Sequence, residues 1–425
     1  MPKKPDMSRI QELVGLARGA AAEAAAYQER FAAEDTEARK IVDIMERFLR
    51  TKGRVVYGGA AINAHLPADK KFYDPTLYLP DYDFMTQDPL QDCADLIRAF
   101  QSEGFIEVEA KFGIHEGTYK VFVNFRAAAD ITYMPPDIYE RVLGDSKKIG
   151  GIHYASVNFL RMNMYLELSR PAGMVSRWEK VYERLLLLNE EYPLHAGRCG
   201  EEPLEALAQE KANPIGERIV AAGIEASVVF LSGASYLVAP DSESNDDVII
   251  MMSDKAAALV QELVVALNLK PTRFDAMGEL LPERTELRTK HRHLVAVIFD
   301  TVACHSYTTL AKPKGYRLGS IDLLIQMYYA MYFAELKGYL PGKLLCIIQA
   351  LIELETSRRL VAISSKGKVE AHDVFPLDCV GHQPTVPELK KAHRDRVKEK
   401  KKELLGVVRM KDSFRVSRRR RPRKA

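Results

Sequence analysis

The stretch Arg54–Phe84, RVVYGGAAINAHLPADKKFYDPTLYLPDYDF, constrains this chain more than any other. A β-branched and aromatic run, Arg54-Val-Val-Tyr57, ends in the pair Gly58-Gly59, and a helix-prone Ala-Ala-Ile-Asn segment follows at once. Glycines at a strand-to-helix turn let the backbone come close to a phosphate, and a helix N-terminus offers N–H groups and partial positive charge. Farther on, Asp81-Tyr82-Asp83 reads as part of a strand. Residues two apart project from one face, so Asp81 and Asp83 point together and Tyr82 points away. Carboxylates that close repel unless one is protonated or a cation sits between them. Beside a phosphate cradle a divalent cation is the commoner solution, and Mg²⁺ favours carboxylate oxygens combined with substrate phosphates. Alone, a Gly-Gly turn is usually just a turn, and an Asp-x-Asp pair is usually a solvated edge-strand pair. Coupled in this order they point to a metal-dependent phosphate site.

A third carboxylate follows. The segment Ala127-Ala-Ala-Asp-Ile-Thr-Tyr-Met134 is strand-like, and an aspartate among such neighbours is costly to bury without compensation. Placed beside the Asp81/Asp83 strand, Asp130 completes one metal cluster; the competing reading is a turn aspartate between strands. Arg177, Lys180 and Arg184 recur every three or four residues, a basic stripe on a helix. Either it is a solvated face or it contacts a triphosphate or a nucleic-acid backbone. Lys70, Lys71 and His65, in the turn-rich insert after the glycines, read as ordinary loop and structural residues.

The middle of the chain echoes its beginning. Val228-Val-Phe-Leu-Ser-Gly-Ala-Ser-Tyr resembles Arg54-Val-Val-Tyr-Gly-Gly-Ala-Ala-Ile, and Leu294–Asp300 parallels the Asp130 strand. Gly315-Tyr-Arg-Leu-Gly-Ser-Ile-Asp parallels Gly151-Ile-His-Tyr-Ala-Ser-Val-Asn, the clearest sign of a repeat. In this alignment Asn245-Asp246-Asp247 takes the place of Asp81-Tyr82-Asp83, with an asparagine where a ligand carboxylate is expected. The second copy therefore reads as degenerate, used for packing and as a candidate RNA surface, not as a second active site. The expected architecture is α/β (α+β): two tandem lobes, each a small mixed sheet packed with helices. The expected division is an N-terminal helical segment over 1–50, lobes over 51–195 and 196–385, and a basic helix and tail over 386–425.

With 425 residues, 47% hydrophobic and 28% charged, the chain has the composition of a soluble globular protein. Its net charge of +3 is unevenly spread. From 390 to 425 there are 17 Lys+Arg against 4 Asp+Glu, so the body is acidic and the end is a candidate nucleic-acid arm. Five scattered cysteines without a C-x-x-C pair argue against structural zinc and for free thiols in a reducing compartment. No apolar run of membrane-spanning length is present, and the Met1-Pro-Lys-Lys start leads into no apolar leader.

Val56-Tyr-Gly-Gly-Ala-Ala-Ile-Asn, Pro80-Asp-Tyr-Asp-Phe and Asp130 together resemble the nucleotidyltransferase (polymerase β-like) superfamily. More closely, they are similar to the poly(A) polymerase catalytic subunits of poxviruses and giant nucleocytoplasmic DNA viruses. Leu168-Ser-Arg-Pro, Arg177-Trp-Glu-Lys-Val-Tyr and Phe375-Pro-Leu-Asp-Cys-Val-Gly-His-Gln-Pro share the likeness, which runs over roughly residues 40–390. The resemblance implies an active first lobe and a degenerate second one. It implies Asp81, Asp83 and Asp130 as catalytic ligands of two Mg²⁺ or Mn²⁺ ions, with Gly58, Gly59 and Lys180 on the nucleotide. ATP and an RNA 3′ end would be the substrates, a homodimer the assembly, and the host cytoplasm (viral factory) and the virion the location. The 22 positions from Gly59 to Asp81 exceed most of the superfamily, but the viral branch is similar in carrying such an insert. Two other readings remain open here: a nucleotidyltransferase of different nucleotide or acceptor specificity, and an inactive RNA-binding scaffold.

Overall fold

The computed structural model describes residues 14–24, 27, 35–73, 82–113, 117–197, 199, 214–234, 237, 248–278, 280–336, 341–364 and 370–399. Asp81, Asn245–Asp247 and the arm beyond residue 399 lie outside them.

The first lobe starts with a helix, α1 (Thr36–Lys52), whose limits are written in the sequence. Asp35 caps it by accepting from the N–H groups of Glu37 and Ala38, at 2.9 and 3.3 Å. Gly53, in the left-handed region at φ 62°, ends it. Between them Ile41, Ile44, Met45, Phe48 and Leu49 recur at helical spacing and are buried, each worth roughly 1.5–3 kcal/mol against exposure. They face a sheet built from β1 (Val55–Tyr57), β2 (Tyr82–Thr86), β3 (Val108–Phe112), β4 (Thr118–Val123), β5 (Arg126–Tyr133), β6 (Lys147–Ile149) and β7 (Ile152–Tyr154). Its order is β3-β4-β5-β2-β1-β7-β6, with β2/β5 and β1/β7 parallel and the other pairs antiparallel. Helices α2 (Gly58–His65), α3 (Pro89–Ser102), α4 (Pro136–Gly144), α5 (Val157–Leu168) and α6 (Trp178–Glu191) complete the lobe.

The second lobe opens with α7 (Pro214–Glu225) and contains α8 (Ala256–Leu267) and β8 (Val229–Phe230), β9 (Ile249–Ser253), β10 (Lys270–Phe274), β11 (Arg284–Arg288), β12 (Leu294–Asp300), β13 (His305–Thr309) and β14 (Arg317–Gly319). Their order, β10-β11-β12-β9-β8-β14-β13, repeats that of the first lobe strand for strand and with the same directions. A short strand, β15 (Cys379–Val380), extends the far edge. The echo in the sequence is thus a repeated fold.

Register corrects one part of the echo. Val56 pairs with Tyr154 as Phe230 pairs with Leu318, so β1 and β8 align as the sequence suggests. Phe84 then corresponds to Met251, since these are the partners of Val56 and Phe230. The position of Asp83 is therefore taken by Ile250, and its parallel neighbour Asp130 is matched by Val297. Asp247 is three residues away from the position assigned to it by sequence alignment. A short apolar strand has no internal mark of register, and a slip is invisible until the neighbouring strands fix it. Two aliphatic side chains thus stand where the first lobe has two carboxylates.

The lobes meet through the two echoing helices, α5 and α9 (Ile321–Phe333), both capped by serine: Ser156 accepts from Phe159 N–H and Ser320 from Leu323 N–H. Phe159 and Phe333 pack edge to face at 5.3 Å. From α10 (Pro341–Ser364), Arg359 donates two bonds to the buried Asp322 carboxylate, at 3.0 and 2.9 Å, and pairs with Glu355, which accepts from Tyr165 Oη of α5 at 3.0 Å. The guanidinium also lies over Tyr182 and Phe375, binding α6 and the C-terminal loop into the same knot.

The expectation of free thiols is corrected. Cys199 pairs with Cys346 and Cys304 with Cys379, with Cα atoms 5.7 and 5.3 Å apart, while Cys93 is free and buried. Separations of 147 and 75 residues hid this proximity, and paired cysteines give no support to a reducing compartment. No helix among the described residues is long and apolar enough to cross a membrane.

Arg359→Leu leaves Asp322 and Glu355 buried without their cation and is expected to cost about 3–5 kcal/mol, read as a lowered denaturant midpoint. His305 is buried with neither ring nitrogen bonded among the described residues, and burial with nearby Arg170 pushes its pKa down to about 3. It is neutral in the fold and takes a proton on unfolding once the pH is below its ordinary range. Stability should therefore fall as pH drops from about 6.5, by up to about 1.4 kcal/mol per unit, and His305→Leu should remove that slope.

Candidate active site

The site is built on the open face of the first sheet, around a turn that only glycine can make. Tyr57, the last residue of β1, is followed directly by Gly58, the first residue of α2, at φ 70°. A Cβ on Gly58 would land on Asp83 Oδ2, so backbone conformation and close approach both exclude a side chain there. The N-cap residue Tyr57 makes no side-chain cap bond to α2, whose N-terminal end is the kind of place that favours an anion. On Gly59 a Cβ would lie 3.0 Å from Arg184 Nη1 and 3.2 Å from Tyr73 Oη.

Asp83 and Asp130 are direct neighbours on the parallel strands β2 and β5, about 5 Å apart across the sheet. Both are part-exposed, while Tyr82 is buried on the opposite face and donates to Glu46 at 2.8 Å. The alternation read from Asp81-Tyr82-Asp83 therefore holds for its two described members. Tyr57 Oη bonds Thr132 Oγ1 at 2.9 Å, tying β1 to β5 across the carboxylate strand.

Asp130 is paired with the ammonium of Lys120, its register partner on β4. This lysine escaped sequence reading: in Thr118-Tyr-Lys-Val-Phe-Val123 it looks like one solvated residue of an alternating strand. Only the pairing of β4 with β5 brings it to the carboxylates. Its ammonium is a cation held where the chemistry calls for one, and the donors offered are carboxylate oxygens alone, which suit Mg²⁺ or Mn²⁺. The described members of the proposed ligand set thus fit a hard divalent ion. Among the described residues no group of three His, Cys, Asp or Glu is gathered for a metal.

The basic stripe of α6 divides. Arg177 pairs with Glu167 at 3.1 Å and Lys180 is exposed. Arg184 instead reaches the glycine turn: it lies 4.1 Å from the Phe72 ring centroid and donates to Tyr73 Oη at 2.9 Å. Lys70 is held by Glu190, at 3.0 Å, and by Glu191, and His65 Nε2 is bonded to the Ala155 carbonyl at 2.8 Å. Both are engaged structurally, which the sequence suggested for His65, whereas Lys70 reads there as a solvated loop lysine.

Arg184→Ala is expected to weaken nucleoside triphosphate binding about 10- to 100-fold by calorimetry, the size of one charge-assisted contact, with Lys180→Ala having the smaller effect. Gly58→Ala should lose binding more severely, because the new methyl displaces the Asp83 carboxylate.

Residues 43–174 match the family model described as poly(A) polymerase catalytic subunit, a span that includes Gly58, Gly59, Asp81, Asp83, Lys120 and Asp130. A provisionally named poly(A) polymerase catalytic subunit of Acanthamoeba polyphaga mimivirus is 34% identical over 163 residues, 37% of this chain and 27% of the mimivirus protein. Its counterpart in African swine fever virus is 25% identical over 168 residues, 38% of this chain and 35% of that protein. The chain thus spans only about a quarter to a third of these relatives' length. The crystal structure of the Megavirus polyadenylate synthase superimposes with a TM-score of 0.75 at 20% identity, covering 95% of this chain and 85% of that one. Over residues 43–174 this chain resembles the viral poly(A) polymerase catalytic subunits, and over almost its whole length it has the fold of the Megavirus polyadenylate synthase.

Proposed function

We propose that this chain is a template-independent polynucleotide adenylyltransferase that adds AMP from ATP to the 3′-hydroxyl of RNA, its acceptor being mRNA. The observation that carries the reading is the register pair Asp83/Asp130 beside the Gly58 turn, inside the span that matches the poly(A) polymerase catalytic subunit model. In this reading the N-terminal end of α2 and Arg184 hold the β and γ phosphates of ATP, with Lys180 at the outer edge. Asp81, Asp83 and Asp130 would hold two Mg²⁺ or Mn²⁺ ions, which when bound activate the hydroxyl and neutralise the departing pyrophosphate. The 3′-oxygen bonds to the α-phosphorus as the bond from that phosphorus to the β-phosphate oxygen breaks, in line, releasing pyrophosphate. Asp130 is the acceptor for the hydroxyl proton. The second lobe, with Ile250 and Val297 in the corresponding positions, does no chemistry and serves as the opposing wall. The basic arm 390–425 holds the RNA body.

Primer extension on a short 3′-hydroxyl RNA with each of the four ribonucleotides tests this. ATP with Mg²⁺ should be used in preference, and Asp83→Ala or Asp130→Ala should lower the rate at least about 10²-fold in folded protein. Equal use of another nucleotide would reassign the specificity, and undiminished extension by the folded Asp83→Ala protein would remove the site. Wild-type protein that binds RNA but transfers nothing would make the chain a scaffold.

A further inference from the structure

The two carboxylates belong to a longer row. Reading register across the sheet, Tyr57 pairs with Asp83, Asp83 with Asp130, Asp130 with Lys120, and Lys120 with Lys111. Paired residues on neighbouring strands share a face, so the open face carries two acids followed by two bases in one line. Lys120 lies one strand from Asp130 and Lys111 two, about 5 and 10 Å away. Phe122, two residues from Lys120 and so on the same face, is half-buried with Lys111 Nζ 5.1 Å from its ring centroid.

We propose that Lys120, Phe122 and Lys111 form the track along which the 3′-terminal nucleotides of a single-stranded RNA acceptor lie, a proposal that rests on the adenylyltransferase reading. The direction comes from the chemistry of displacement. In-line transfer puts the attacking oxygen and the leaving group on opposite sides of the phosphorus. The Asp83 end of the row abuts the Gly58 turn, where Arg184 reaches Gly59, so the triphosphate occupies that side. The acceptor must approach from the other end, over β5, β4 and β3, and there the row changes from acids to bases. Ammonium groups for backbone phosphates and an aromatic ring for a base are the parts of a sequence-tolerant single-strand site. Lys120 and Lys111 now hold Asp130 and Glu109. With Asp130 bound to a divalent ion, Lys120 loses that carboxylate partner and its ammonium is left for a phosphate.

The β3 edge also carries the start of the basic arm. Phe112, next to Lys111, has its ring 6.1 Å from that of His393. That histidine belongs to a helix over 386–399, capped by Thr385 and Glu388, which bears the exposed Lys390, Lys391, Arg394 and Lys398. Phe112 alternates with Lys111 and so points to the opposite face, which sets the start of the basic arm behind the β3 edge, within reach of an RNA body that turns round that edge.

The test is fluorescence anisotropy of a labelled single-stranded oligoadenylate bound to the full chain, with Mg²⁺ and without ATP, over a salt series. Lys111→Gln/Lys120→Gln should weaken binding about 10-fold or more and reduce the slope of log affinity against log salt by about 1.4, the value for two single-strand phosphate contacts. Lys111→Arg/Lys120→Arg, which keeps both charges, should bind close to wild type. Wild-type affinity and slope in the folded glutamine variant would overturn the track, as would equal loss in the arginine variant. If the glutamine variant loses RNA as expected while wild-type protein adds no adenylate, the track stands and the adenylyltransferase reading fails.

Discussion

The parallel pairing of β2 with β5 is the constraint on which the site depends. It sets Asp83 beside Asp130 although 46 residues of chain separate them, and no local propensity could do that. Two carboxylates at strand spacing repel, so the fold must hold them against their own electrostatics. Three devices do so. The strands are locked by buried Phe84 and Ile131 on the opposite face, Tyr57 ties its strand to Thr132, and Lys120 lends Asp130 a positive charge. Gly58 is the geometric counterpart: a turn without Cβ lets the Asp83 carboxylate press against the start of α2.

The repeat gives this arrangement its contrast. Both lobes use one strand order and one set of directions, and in both a serine-capped helix follows the last parallel strand and packs against its twin. At the site positions the second copy has Ile250 and Val297, so its sheet keeps the core and gives up the charge. Two aliphatic side chains need no cation beside them, and an apolar pair is buried without the cost that two carboxylates carry. What it retains is the interface, where Asp322 occupies the position of Asn158 and takes Arg359 into the only charged knot described between α9 and α10.

Much of this was legible in the residues. The glycine turn, Asp83, Asp130, the capped α1 and the repeated strand–helix pattern each rest on short-range chemistry with a sequence signature. Lys120 and Arg184 were not selected, for different reasons. Lys120 is one of several alternating strand residues, and its meaning comes from a cross-strand partner. Arg184 was visible as part of a stripe, but which of three basic residues meets the turn depends on how α6 crosses the sheet. The slip of Asp247 against Ile250 and the paired cysteines failed similarly, because register and cross-linking are relations between distant segments.

The sequence by itself determined the local instruments: a turn that must be glycine, strands that alternate, helices with written ends, and a second copy of the same plan. Only the tertiary structure decided which of these instruments face each other. It set the row Asp83–Asp130–Lys120–Lys111 across four strands drawn from separate stretches of chain, and it brought Arg184 to the glycine turn. The physical reason is that side-chain periodicity is a property of one segment, whereas strand register and helix crossing are settled by the packing of all of them together.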